Sequence, residues 1–268
     1  MLVSVIVPAY KQQKTIKDDI RRIYNVMTKT RWDFEIIVVV DGFQDKTYEN
    51  ACELKLSEVT VVGYPTNRGK GYAVRYGMAR AVGDYIAFID SGMDIDPNGI
   101  SMILEHMEWY EADIIVGSKG HPASKVVYPW WRKMYSKGYY ALVRILFGIK
   151  VRDTQTGLKV YKREVLEKVL PRLVVKKFAF DIELLSVAKR LGFKRIYEAP
   201  VVITMDYKRS SFTRLLFLDP EIQRILYDTI SIFYRMHFLK YYDDNSRRKW
   251  VYDKELDLYV NTGEVENK

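Results

Sequence analysis

The feature that most constrains this chain is a series of short apolar runs rich in β-branched residues, spaced by stretches of helical length. The runs lie at 3–7, 34–40 (Phe-Glu-Ile-Ile-Val-Val-Val), 59–62, 85–89 and 113–116. A strand with one wet face alternates apolar and polar residues. A strand that stays apolar at successive positions needs cover on both faces, as in a parallel sheet sandwiched by helices. Amphipathic stretches near 14–28, 44–56, 70–82 and 98–111 fall between the runs. The order predicts right-handed βαβ units and a doubly wound α/β fold with a mostly parallel sheet.

The second half is less regular. Tyr128-Pro129-Trp130-Trp131 leads into a helix at about 131–147, and a loop follows at 152–157. Strands are expected at 158–161 and 201–204, and helices near 163–170, 181–191 and from 219 toward Tyr241. The segment 245–268 reads as a polar, frayed tail. The expected division is a catalytic domain over 1–205, then an amphipathic helical segment and tail over 206–268.

Composition narrows the class. The 268 residues, 48% apolar and 29% charged, suit a globular chain of one large domain or two small ones. One cysteine, Cys52, cannot form an internal disulfide and fits a reducing compartment. The N-terminus enters its first strand without a basic leader or cleavage site, so no signal peptide is expected. No apolar stretch reaches the roughly 20 residues that span a bilayer. The best candidates, 141–149 and 230–239, are interrupted by Arg144 and Arg235. The net charge of +9 suits a polyanionic partner or serves solubility alone. No aromatic-basic recognition motif accompanies it, so no nucleic-acid partner is expected.

In open α/β sheets, ligands bind beyond the carboxyl ends of the strands. Pro8-Ala9-Tyr10, Asp41-Gly42 and Asp90-Ser91-Gly92-Met93-Asp94 each follow a strand. Each alone reads equally as a turn; their recurrence at strand ends points to one site. Asn67-Arg68-Gly69-Lys70-Gly71 precedes a helix and sets two cations beside its N-terminus, where a diphosphate would sit well. It has neither P-loop nor dinucleotide-fingerprint spacing, and an exposed basic turn is the other reading.

Together these segments resemble the family 2 glycosyltransferases of GT-A, Rossmann-like fold, and within them the polyprenyl-phosphate (dolichyl-phosphate) glucosyl- and mannosyltransferases. The resemblance covers roughly 2–205, with a weaker echo to about 242. It rests on Val5-Ile6-Val7-Pro8-Ala9-Tyr10, on 35–42, 67–77 and 88–97, and on Gly117-Ser118-Lys119. Asp153-Thr154-Gln155-Thr156-Gly157-Leu158-Lys159 and Phe180-Asp181-Ile182-Glu183-Leu184 point toward the dolichyl-phosphate glucosyltransferase branch.

The resemblance implies roles. Pro8, Ala9, Tyr10 and Asp41 would line the base and ribose of the donor. Arg68 and Lys70 would approach its diphosphate, with Ser91 nearby. Asp90 would open the family's Asp-x-Asp metal motif. Lys119, Arg132 and Ser136 would hold the acceptor phosphate, with Asp153 and Gln155 contacting donor or acceptor. Arg132 and Ser136 are four apart, hence on one helix face; a solvated face shared with Lys133 and Lys137 is the alternative. Asp181 either orients sugar or acceptor or caps its helix.

The sequence departs from the family pattern. Lys11 stands where Asn is usual after Pro-Ala-Tyr, the Asp pair before Gly42 is reduced to Val40-Asp41, and Gly92 replaces the second Asp of the metal motif. Asp90 with Asp94 is therefore the expected carboxylate pair for Mg²⁺ or Mn²⁺, with a turn role for Asp94 and Asp96 as the alternative.

The expected reaction moves a hexose with inversion from a nucleotide sugar, UDP-glucose before GDP-mannose, to a polyprenyl or dolichyl monophosphate. An ionised phosphate needs no general base, so alignment and charge stabilisation carry the rate. A lipid acceptor implies peripheral contact with the cytoplasmic face of a membrane. Phe217, Ile225, Ile232, Phe233 and Leu239 would supply the apolar face and Lys208, Arg209, Arg214 and Arg235 the cations; packing of that face on the core is the alternative. Two other functions stay open: a transferase acting on a glycan or small acceptor with Asp181 as base, and a noncatalytic nucleotide-sugar-binding protein.

Overall fold

A computed structural model describes residues 1–126, 130–203, 220–243 and 248–265; the side chains of 130–133 and 265 fall outside the described set. In chain order the first half runs β1 (Leu2–Ala9), α1 (Ile16–Met27), β2 (Asp33–Asp41), α2 (Thr47–Cys52), β3 (Val59–Tyr64), α3 (Lys70–Met78), β4 (Tyr85–Ile89) and α4 (Gly99–Trp109). It continues with β5 (Ile114–Ser118), β6 (Lys125–Val126), α5 (Trp130–Phe147), β7 (Leu158–Lys162), α6 (Arg163–Val169) and α7 (Phe180–Arg190). Then come β8 (Ile196–Pro200), β9 (Val202–Ile203), α8 (Pro220–His237), β10 (Arg248–Asp253) and β11 (Leu258–Val265).

Among the described residues, seven strands form the central sheet in the order β3-β2-β1-β4-β7-β5-β8. The pairs β1–β2, β1–β4, β2–β3 and β5–β8 are parallel. β7 runs antiparallel to both β4 and β5. The expected α/β class with a mostly parallel sheet is what the chain adopts.

The apolar runs have the predicted cause. Along β1, Val3, Val5 and Val7 pack on one face with α1 and α4, while Ile6 packs on the other with α3. Along β2, Ile36 and Val38 share the first face and Ile37 and Val39 the second. Each fully buried Val or Ile contributes about 1.5–3 kcal/mol, so both layers are strongly held. α3 lies close on the sheet because Gly77 faces it: a Cβ there would come within 2.5 Å of Ile6 Cγ2.

The second half differs from expectation at its edges. The outer strand of the sheet is β8, a mixed segment (Ile-Tyr-Glu-Ala-Pro) without an apolar run, and only Val202–Ile203 of the expected 201–204 strand pairs, with β6. Thr204 lies outside the described residues. The supposed polar tail is instead the β10–β11 hairpin. Its tip residue Leu256 is 1% exposed in the core, and Tyr241 and Asn261 exchange hydrogen bonds of 2.7 and 2.9 Å.

Candidate active site

The parallel strands deliver their carboxyl ends to one edge of the sheet. There the Asn67–Lys70 loop meets the end of β4. Lys70, the first residue of α3, reaches Asp90 with Nζ 2.6 Å from Oδ2. Asp90 is held from behind, its N–H donating to the Gly157 carbonyl at 2.9 Å. Gly157 is obligatory there, since a Cβ would lie 1.9 Å from Asp90 Oδ2. The other carboxylate oxygen, Oδ1, is buried without a hydrogen-bond partner. Burial disfavours the Lys70 ammonium, but Asp90 and Asp181 outweigh it and hold the group above its ordinary pKa, so Lys70 is charged.

A second pair lies beside the first. Lys159 on β7 donates to Asp181 Oδ1 at 2.6 Å and to the Thr156 carbonyl at 2.6 Å. The Phe88 ring lies close to both ammonium groups, 5.7 Å from Lys70 Nζ and 5.0 Å from Lys159 Nζ. Exposure distinguishes the pairs. Lys70 and Asp90 side chains are 19% and 36% exposed, whereas Lys159 and Asp181 are 0% and 3%. The first pair is open to a ligand and the second is sealed. Burial raises the Asp181 carboxyl and lowers Lys159, each partly offset by the other. Asp181 does not cap α7, whose N-cap residue is Ala179. It anchors α7 to β7.

Several residues expected at the donor have partners within the protein. Asp41 is 3% exposed and its carboxylate is already occupied. Oδ1 accepts from Arg68 N at 2.7 Å, and Oδ2 accepts from Asn67 Nδ2 at 2.8 Å and Gly69 N at 3.0 Å. Asp41 thus shapes the loop from below. Gly69, at φ +100°, lets the chain pass the Lys176 carbonyl, 2.6 Å from where a Cβ would be. The Arg68 side chain turns away from Asp90 to pair with Glu255 and Tyr72. Pro8 and Ala9 are buried within β1. Tyr10 is exposed beside them and donates to Gln44 Oε1 at 3.0 Å. Ser91 is partly exposed next to Asp90.

The metal motif turns sharply after Asp90. Gly92 has φ +91° and donates its N–H to Asp19 Oδ2 at 3.0 Å; Asp19 is a buried residue of α1 whose carboxyl burial pushes up. Asp94 is exposed, while Asp96 accepts from Asn98 N and Nδ2 at 3.0 and 2.8 Å, a turn role. No cluster of three or more Asp, Glu, His or Cys suited to a metal occurs among the described residues. The orphaned Asp90 Oδ1 nonetheless fits an oxygen-seeking cation whose remaining ligands come from a diphosphate.

Beyond β5, Asp153 organises the neighbouring loop. It accepts from Lys119 N at 3.1 Å, Gln155 N at 3.1 Å and the Thr156 hydroxyl, with Lys119 Nζ at 3.4 Å. Burial alone would raise its carboxyl; Lys119 and these donors outweigh burial and hold it below the ordinary range. Gln155 is partly exposed, and Ser136 is exposed on α5. Arg132 lies in the same helix, with its side chain outside the described set. The sequence reading missed Glu183, which is 0% exposed and accepts from Val174 N at 2.9 Å, Val175 N at 2.8 Å and Tyr242 Oη at 2.6 Å. It also missed Glu255. A charged residue in an apolar helix was the available signal for the first, and none existed for the second.

The apolar face assigned to the C-terminal helix needs correction. Ile232 is 0% exposed, and Ile225 and Phe233 are partly buried; Phe233 packs 6.2 Å from Phe147. Leu239 stays exposed, and Arg235 turns inward to Tyr242 Oη at 3.1 Å. Phe217, Lys208, Arg209 and Arg214 lie outside the described residues. The exposed apolar stripe is instead Tyr227, Ile230 and Tyr234 of α8 with Phe238 just past its end. No helix among the described residues is long and apolar enough to cross a membrane.

Residues 4–170 match the family described as Glycosyl transferase family 2. The chain is 29% identical over 204 residues to a dolichyl-phosphate beta-glucosyltransferase of Dictyostelium discoideum, covering 70% of this chain and 62% of that protein. It is 31% identical to the Drosophila melanogaster protein of the same description, covering 70% and 63%. The chain thus spans less than two thirds of the length of these relatives. Among solved structures, glucosyl-3-phosphoglycerate synthase of Mycobacterium tuberculosis superposes with a TM-score of 0.64 at 20% identity, covering 93% of this chain and 84% of that one. The same enzyme has been crystallised with Mn²⁺ and UDP-glucose.

Proposed function

Because this chain belongs to glycosyl transferase family 2, we propose that it transfers a hexose, with inversion, from a nucleotide sugar to a polyprenyl or dolichyl phosphate. UDP-glucose is the favoured donor and GDP-mannose the second. The carrying observation is the open Lys70–Asp90 pair at the sheet edge, backed by Gly157, with one carboxylate oxygen buried and unsatisfied. The names of the curated relatives support the acceptor, and the Mn²⁺ and UDP-glucose complex of the structural neighbour supports the donor class.

In this reading Lys70 meets the donor diphosphate and Asp90 holds a divalent cation, Mg²⁺ or Mn²⁺, with Asp94 completing the carboxylate pair. Such a cation stabilises charge on the departing diphosphate. Tyr10 and Ser91 line the donor; Pro8, Ala9 and Asp41 shape its floor from within. Lys119, Arg132 and Ser136 hold the acceptor phosphate, and Asp153 and Gln155 fix the loop that presents Lys119. The acceptor oxygen is already ionised near neutral pH, so it attacks the anomeric carbon without a general base. A sealed, lysine-paired Asp181 suits that chemistry.

Residues 1–205 form the catalytic unit, and α8 supplies the membrane-facing side. The exposed apolar stripe carries Tyr227 at 72% and Phe238 at 69% exposure, and Ile145 of neighbouring α5 is 80% exposed. Exposed Arg144 and Arg224 flank them, a pattern suited to the anionic cytoplasmic face of a membrane.

Transfer itself is the test. Label from UDP-glucose or GDP-mannose is offered with polyprenyl phosphate or an oligosaccharide, with and without Mn²⁺. Metal-dependent label in the lipid fraction supports the proposal. Label on the oligosaccharide alone moves the acceptor to a glycan. Donor binding with neither transfer nor hydrolysis would make the chain a nucleotide-sugar-binding protein.

A further inference from the structure

The Asn67–Lys70 loop is pinned from two sides. Asp41 holds its backbone from the sheet. On the opposite side the tip of the β10–β11 hairpin, far away in sequence, holds the Arg68 side chain. The guanidinium lies over the rings of Tyr64 and Tyr72, 5.4 and 4.8 Å from their centroids. It donates to Tyr72 Oη at 2.7 Å and forks onto the Glu255 carboxylate, with Nη2 to Oε1 at 2.9 Å and Nη1 against Oε2. Tyr72 Oη donates to the same Oε2 at 2.8 Å. Arg80, two residues past the end of α3, donates to the Glu255 carbonyl at 2.7 Å and lies 3.5 Å over the Tyr76 ring.

The tip is itself built to hold Glu255 in place. Asp253 Oδ1 accepts from Glu255 N and Leu256 N at 2.9 and 3.1 Å, and the Leu256 side chain is buried in the core. Around Gly69 the side chains of Arg68 and Lys70 leave the chain in different directions. Lys70 goes to Asp90 and Arg68 to the hairpin.

We propose that Glu255 is a positioning residue for the donor site: through Arg68 the hairpin tip fixes the loop that presents Lys70 to Asp90, and Arg68 is not itself a ligand of the donor diphosphate. This rests on the reading of the loop as the donor-diphosphate site. A bidentate guanidinium–carboxylate pair joined by a tyrosine hydroxyl has defined geometry as well as charge. Fixing the loop before binding reduces the ordering cost that the donor would otherwise meet.

The test titrates UDP-glucose with Mn²⁺ into wild type, Arg68→Gln, Glu255→Gln and the charge-swapped Arg68→Glu/Glu255→Arg protein. Each single variant is expected to raise donor Kd and KM about 3–10-fold, with kcat at saturating donor within about twofold. The swapped pair is expected to recover most of the loss. Three results overturn the proposal: a loss of about 100-fold or more in Arg68→Gln with Glu255→Gln unaffected, which makes Arg68 a phosphate ligand; tighter donor binding by Glu255→Gln, which makes Glu255 a competitor; or no change in either. Hydrogen exchange of the ligand-free protein provides a readout without donor. Amides of 68–73 should exchange about tenfold faster in Glu255→Gln while those of 258–265 hold. Unchanged exchange at 68–73 also overturns the proposal. If wild type binds neither UDP-glucose nor GDP-mannose, the functional reading fails and the exchange experiment still decides the clasp.

Discussion

Replacing Gly157 with alanine should slow transfer about 10²-fold while leaving the fold in place. The new methyl would sit 1.9 Å from Asp90 Oδ2 and 2.2 Å from Cγ, and the obstruction is about 1.5 Å short of ordinary contact at 3.4 Å. Gly157 is anchored, because its carbonyl accepts the Asp90 N–H at 2.9 Å next to the β4–β7 pairing of Ile89 with Leu158. The Asp90 side chain must therefore move, breaking the 2.6 Å contact with Lys70. Displacing a catalytic group by roughly 1 Å costs about 10²-fold in rate, or about 2.7 kcal/mol of barrier. Overpacking at the same spot costs about 1–3 kcal/mol of stability, which a chain of this size should survive. The assay is label transfer from UDP-glucose to polyprenyl phosphate, with thermal melts as the folding control. Adding Asp90→Ala to Gly157→Ala should cause little further loss, since both remove the same group. A folded Gly157→Ala protein within threefold of wild-type activity would refute this account of the site.

Other consequences follow from the same geometry. Lys159→Met strands the Asp181 carboxylate in the core, which typically costs about 3–5 kcal/mol; a melting-temperature drop of roughly 6–20 °C is expected, and Asp181→Asn in the same background should recover part of it. Asp153 has a depressed carboxyl, so its contribution is fully present above the ordinary aspartate value near 4 and fades as pH falls through the folded one. The melting-temperature gap between wild type and Asp153→Asn should hold steady from pH 7 to 5 and close below about pH 4; a gap that widens with acid contradicts the assignment. Serine at Tyr227, Ile230, Tyr234 and Phe238 together should sharply reduce co-sedimentation with anionic vesicles, without lowering the melting temperature by more than about 2 °C. Retained binding would place the membrane contact elsewhere.

The sheet was legible because its strands are buried on both faces, so mostly apolar runs at 3–7 and 34–40, broken only by Ser4 and Glu35, announced themselves without regular alternation. β8 was not, since an edge strand ending in Pro200 carries no such run. The hairpin was hidden for another reason. Its residues are mostly polar or aromatic, and Leu256 and Tyr241 reveal their burial only once α3 and α7 are in place beside them. At the site, Lys70 and Asp90 were named as neighbours of one diphosphate, and the structure brings them together. The roles of Asp41, Arg68 and Asp181 were less accessible. A motif gives a charged residue's position along the chain, but whether its partner is a ligand or another side chain depends on contacts such as Arg68–Glu255, separated by 187 residues. α8 carries apolar side chains on more than one face, so the sequence left membrane contact and core packing both open: Ile232 and Met236 pack inward, while Tyr227 and Phe238 are exposed.

Calorimetric titration of UDP-glucose into wild type and Asp90→Asn, each with and without Mn²⁺, tests the central claim most directly, because Asp90 is where donor, cation and Lys70 are said to converge. The account predicts metal-dependent binding by wild type, and loss of the metal-dependent part in Asp90→Asn with the protein still folded. Equal, metal-dependent binding by both proteins would contradict it and place the donor site away from the end of β4.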